Sequence, residues 1–137
     1  MINGTLNPPQ RGVEYLKMMI AVDAAGGDYA PHEIVKGAIQ AAHELGVEIG
    51  LVGRKNVLRK LAEKSMLDAS VTIIDARQVI DFDEHPMKAL QAKPQSSIVI
   101  GINLVKSGQA DAFVSAGNTG AVVGGALLIL GRVRGVS

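Results

Sequence analysis

The feature that most constrains this chain is an alternation of two periods. Short runs of branched apolar residues give way repeatedly to stretches whose apolar residues recur at helical spacing. Met18–Ala24, Glu48–Val52, Val71–Asp75 and Ala110–Ser115 read as strands. Glu33–Leu45 puts Ile34, Val35, Ala38, Ile39, Ala42 and Leu45 on one helical face, and Gly46 stops the helix. Arg54–Met66 turns Val57, Leu58, Leu61 and Ala62 inward and Arg59, Lys60, Glu63 and Lys64 outward. Ala76–His85 is an irregular acidic stretch, and Pro86 opens a short helix through Gln91. Ser96 or Ser97 caps a helix to Lys106, closed by Gly108; Asn118 or Thr119 caps a last helix to about Leu130.

Strands joined by helices pair in parallel through right-handed crossovers. The expected fold class is therefore α/β: a doubly wound, mostly parallel, Rossmann-like sheet in an α/β/α sandwich. Hydrophobic residues make up 47% of the chain but aromatic ones only 3%, so the core must come from Val, Ile, Leu and Ala, as buried parallel strands favour. In a Rossmann-like order the fourth strand returns beside the first. The loops leaving those two strands then flank the switch point, where such sheets bind ligands.

Met1–Lys17, with its Asn7-Pro8-Pro9 turn, reads as a flexible leader or tag, and residues 18–137 as the first part of a longer α/β domain. A four-stranded sheet ending on a glycine-rich apolar helix would leave an edge for a further segment to cover. Ala121–Leu130, an apolar stretch, falls far short of the ~18 residues of a membrane span. The first seventeen residues lack a signal-peptide apolar region. A net charge of +1 gives no electrostatic footprint for nucleic acid, and none is expected as a partner. The absence of cysteine excludes disulfides, thiolate nucleophiles and cysteine metal sites.

Three loops carry the unusual residues. Asp23-Ala24-Ala25-Gly26-Gly27-Asp28-Tyr29-Ala30-Pro31 closes the first strand and leads to the first helix. Its paired glycines allow backbone N–H groups to turn toward an anion, and Asp28 could orient a donor, bind a metal or cap the next helix. A tight turn with a capping Asp accounts for it equally well. Ser115-Ala116-Gly117-Asn118-Thr119-Gly120 lies between a strand and a helix, a geometry suited to cradling phosphate. There a purely structural cap explains Asn118 or Thr119 but not the whole cluster. Lys93-Pro94-Gln95-Ser96-Ser97 offers a second anion contact, or simply a solvated lysine beside a cap. Asp81, Asp83, Glu84 and His85 lack ligand-spaced partners and read as a solvated acidic loop, so no metal is expected. Gly124-Gly125 reads as a site of close helix packing.

These segments resemble a known family. Ile20-Ala21-Val22-Asp23-Ala24-Ala25-Gly26-Gly27-Asp28 with Ala30-Pro31, Asp83-Glu84-His85-Pro86 with Ala89-Leu90 and Lys93, Ser96-Ser97-Ile98, and Ala110–Ala121 are similar to the motifs of the phosphate acyltransferases of phospholipid synthesis. The likeness runs from about Met18 to Gly135 in order and register, with Ala25 where the family often has Met. It implies a sandwich of the isocitrate and isopropylmalate dehydrogenase type. It also implies transfer of a fatty acyl group from acyl carrier protein to inorganic phosphate, with no cofactor. Cytoplasmic homodimers in peripheral contact with the membrane are implied for the full-length protein. The substrate-binding residues expected are Gly26, Gly27, Asp28, Lys93, Ser96, Ser97, Ser115, Gly117, Asn118, Thr119 and Gly120. Two alternatives are a nucleotide-dependent oxidoreductase and an inactive binding module. The first would need a full glycine fingerprint after strand one and an acid ending strand two, where Val52-Gly53-Arg54 stands instead.

Overall fold

The computed structural model describes residues 18–64 and 70–136. The expected leader, residues 1–17, and the far end of the expected second helix lie outside them. The elements follow as β1 (Met19–Asp23), α1 (His32–Leu45), β2 (Glu48–Gly53), α2 (Lys55–Lys64), β3 (Val71–Asp75), α3 (Pro86–Ala92), α4 (Ser97–Lys106), β4 (Ala112–Val114) and α5 (Thr119–Gly125). The last helix continues as a π-helical segment, Ala126–Leu130. Each boundary within the described residues falls within about two residues of its sequence expectation, and β4 keeps three of its six expected residues.

The sheet is four-stranded and all parallel, in the order β3-β2-β1-β4. Asp23 pairs with Val52, Gly53 with Asp75 and Val22 with Val114, so all four strands end at nearly the same level. Their following loops therefore emerge along one edge, with β1 and β4 flanking the switch point as expected.

Alternation along the strands feeds two cores. Ile49 and Leu51 of β2 pack with Val35, Ala38, Ile39 and Ala42 of α1 and Leu58 of α2. On the opposite face Ala21 and Val52 pack with Ala76, Ala110 and the partly buried Ile100, Leu104 and Phe113. A third cluster joins Ile80, Leu90, Ile98, Ile102 and Ala121 where α3, α4 and α5 meet. Helices on both faces make the fold doubly wound. The glycine pair of the last helix supports close packing: a Cβ on Gly125 would stand 2.7 Å from Ile102 Cδ1, and one on Gly124 would stand 3.0 Å from Met87 Sδ.

Two apolar positions are corrected: Leu45, grouped with the apolar face of α1, is the helix's last residue and is 69% exposed, and Val57 does not turn inward. Leu58 and Ala62 are buried, but Val57 is 42% exposed. It lies in the first turn of α2, past the level at which α1 and the sheet cover the helix, and it faces a cleft instead.

Candidate functional site

The loops after β1 and β4 are clasped together by a carboxylate. Asp23, the last residue of β1, is only 1% exposed. One of its oxygens accepts from the Ala25 N–H at 3.0 Å, and the other accepts from the Ser115 hydroxyl at 2.7 Å. Ser115 in turn accepts from the Gly117 N–H at 3.0 Å. Backbone contact completes the clasp. A Cβ on Gly26 would run into the Asp23 carboxylate and lie 2.9 Å from Gly117 Cα, so only glycine lets these strands' ends approach so closely. Gly27 takes φ of +112°, a conformation that disfavours a side chain, beside Ala116.

This clasp leaves donors over. Among the described residues, the backbone N–H groups of Gly26, Gly27 and Asp28 on one loop, and of Thr119 and Gly120 on the other, have no hydrogen-bond acceptor. Thr119 and Gly120 are exposed and open α5, where such N–H groups have no intrahelical partner. Asp28 is exposed and does not cap α1, whose N-terminal cap, Pro31, makes no side-chain bond.

Other expected site residues are engaged within the protein. Asn118 is 5% exposed. Its Oδ1 caps α5 by accepting from the Ala121 N–H at 3.0 Å, while Nδ2 donates to the carbonyls of Asp81 at 3.0 Å and Glu84 at 3.2 Å. Lys93 donates to the Val79 carbonyl at 2.7 Å and pairs with Glu84. Glu84 also accepts from the Asp81 N–H at 2.8 Å. The Lys93 ammonium, followed by that N–H, holds the Glu84 carboxyl below its usual range. The acidic stretch is thus a turn strapped from both sides rather than a free loop, and no group of three His, Cys, Asp or Glu among the described residues could hold a metal ion. Ser96 caps α4 by accepting from the Val99 N–H at 3.3 Å; Ser97 is 1% exposed and its N–H donates to the Gln78 carbonyl. A Cβ on Gly120 would meet Pro86, so α5 and α3 also approach through glycine.

The structure therefore brings Gly26, Gly27, Asp28, Ser115, Gly117, Asn118, Thr119 and Gly120 into one region, with Lys93 strapping the turn behind it and Ser96 and Ser97 opening α4. A cleft of about 620 Å³ lies on the other flank of the β1 loop, along the ends of β2 and β3. Ala25 and Pro31 line it together with Arg54, Val57, Arg77 and Lys93, whereas no residue of 115–120 does. Sequence reasoning missed Asp23, Arg54 and Arg77 as site residues. Asp23 alone left a signal, an acid at the end of an apolar strand.

Comparison with known proteins now bears on the chain. The family described as fatty acid synthesis protein matches residues 18–137. The phosphate acyltransferase of Dehalococcoides mccartyi is 50% identical over 119 residues, which is 87% of this chain and 34% of that protein. The phosphate acyltransferase of Desulfitobacterium hafniense is 47% identical over 119 residues, 87% of this chain and 36% of its own length. That of Dictyoglomus turgidum is 48% identical over 120 residues, with the same two shares covered, 87% and 36%. The chain spans about a third of the length of these curated relatives. The matched span contains both clasped loops and the strapped turn, and on it the chain belongs to the fatty acid synthesis protein family, with relatives named phosphate acyltransferase.

Proposed function

We propose that this chain supplies the phosphate-binding part of an enzyme that transfers a fatty acyl group from acyl carrier protein to inorganic phosphate, giving an acyl phosphate for phospholipid synthesis. The observation that carries the reading is the set of unpartnered N–H groups on two touching loops at the switch point, Gly26 to Asp28 and Thr119 with Gly120. Fixed backbone donors suit a multiply charged oxyanion. The Thr119 hydroxyl adds a neutral donor. In the reaction a phosphate oxygen attacks the thioester carbonyl carbon, the C–S bond breaks, and the carrier leaves as a thiol after taking up a proton. No covalent enzyme intermediate is needed for this exchange. The protein's contribution is to hold phosphate beside the carbonyl, an effect worth up to roughly 7–11 kcal/mol. Donors near the developing oxyanion add to it. The names of the relatives support the acyl transfer; the carrier protein, a homodimer, a cytoplasmic location and peripheral membrane contact belong to the same proposal.

Acyl-phosphate formation from acyl carrier protein and phosphate tests the reading. It is measured with this chain and with a version extended to the relatives' length. Activity in the extended version that is first order in phosphate at low concentration supports it. An extended version that folds and forms no acyl phosphate overturns it.

A further inference from the structure

The cleft beside the β1 loop has a composition that phosphate capture at the clasped loops does not explain. Arg54 follows directly on β2, the position where a dinucleotide-binding sheet would carry an acid for a ribose hydroxyl. A guanidinium there attracts what a carboxylate would repel. Of the three cations lining the cleft, Arg77 is held by Asp75 at 3.4 Å and Lys93 by Glu84, but the Arg54 guanidinium has no hydrogen-bond or ion-pair partner among the described residues. Lys93 keeps a third ammonium proton beyond those given to Val79 and Glu84. Asp81 is the one acid in the lining. Apart from Gln78, the remaining side chains of the wall are apolar, and its Val57 is an aliphatic side chain left 42% exposed on a helix whose next residue is core. The volume, about 620 Å³, is that of a site for a drug-sized molecule, far more than inorganic phosphate fills.

We propose that this cleft is a second binding site, one that takes an organic phosphate: Arg54 receives the phosphate, and Val57 with Pro31 receives an apolar body attached to it. The site shares the β1 loop with the clasped pair but uses none of the same donors, so it stands or falls separately from acyl transfer. The Arg54 guanidinium offers donors in a fork matched to phosphate oxygens.

Calorimetric titration of this chain with hexyl phosphate and with inorganic phosphate tests the proposal. Burial of two or more methylenes corresponds to about tenfold or more, so hexyl phosphate should bind at least that much more tightly. Arg54→Ala removes an exposed side chain without internal partners and should weaken hexyl phosphate by about tenfold or more. Val57→Ser should weaken hexyl phosphate several-fold and leave inorganic phosphate unchanged. Equal affinity for the two ligands, or an Arg54→Ala variant that binds hexyl phosphate as the parent does, overturns the proposal. Val57→Ser affecting both ligands alike overturns it too, because the apolar body would then have no seat there.

Discussion

Replacing Asn118 separates two roles that one side chain performs. Its Oδ1 caps α5, and its Nδ2 straps the Asp81–Glu84 turn through two carbonyls 34 and 37 residues away in sequence. Asn118→Ala loses both. A lost cap costs about 1 kcal/mol. Two backbone carbonyls lose their donor; the turn is largely exposed, so water replaces part of it and the loss falls near the low end of about 1–3 kcal/mol. The sum is about 2–3 kcal/mol of destabilisation. Asn118→Ser keeps a good cap but cannot reach as a strap, so it should lose only the second share, about 1–2 kcal/mol. Urea unfolding gives both values, and amide exchange should speed up at residues 81–84 in both variants. Equal stability of Asn118→Ser and the parent, with unchanged exchange in the turn, would refute the strap. Unchanged stability in Asn118→Ala would refute the cap as well.

Two further outcomes follow from the same networks. Ser115→Ala removes a donor from the buried Asp23 carboxylate and unfastens the loops; it should cost about 2–3 kcal/mol in urea unfolding, whereas a stability change under about 0.5 kcal/mol would mean the clasp carries no load. The Glu84 carboxyl is depressed in the folded state by Lys93, so its contribution is present above the ordinary glutamate pKa of about 4.3 and is lost as pH falls through the folded value. Lys93→Met should therefore be less stable than the parent at neutral pH, and the gap should narrow below about pH 4.3; a gap that stays constant with pH contradicts the pairing.

The sheet and its switch point were legible in the sequence because period-two and period-3.6 patterns alternate cleanly, and parallel crossovers leave few orders to choose from. The grouping of residues 26–28 with 115–120 followed from that order. What the chosen residues touch was not legible. Lys93 and Asn118 have the chemistry of anion contacts, but their partners are mostly backbone carbonyls of the acidic turn, and a carbonyl leaves no mark in a sequence. Asp23 and Ser115 stand 92 residues apart, and their bond is visible only once β1 and β4 are neighbours. Val57 shows the limit of helical periodicity: its spacing matches the inward face of α2, but the helix begins where the sheet ends, so the first turn overhangs the cleft. Arg54 reads as the first residue of a helix and Arg77 as a charge in an irregular stretch until β2 and β3 bring them to one wall.

The central claim is that phosphate sits on backbone N–H groups of the two clasped loops. Titration of inorganic phosphate into the ¹⁵N-labelled chain, followed by amide chemical shifts, tests it most directly. The predicted result is saturable shifts at Gly26, Gly27, Asp28, Thr119 and Gly120, whose N–H groups have no acceptor among the described residues. Saturable shifts confined to other residues, or no shifts at these five up to phosphate concentrations of about 100 mM, well above the mM range of weak sites, would contradict it.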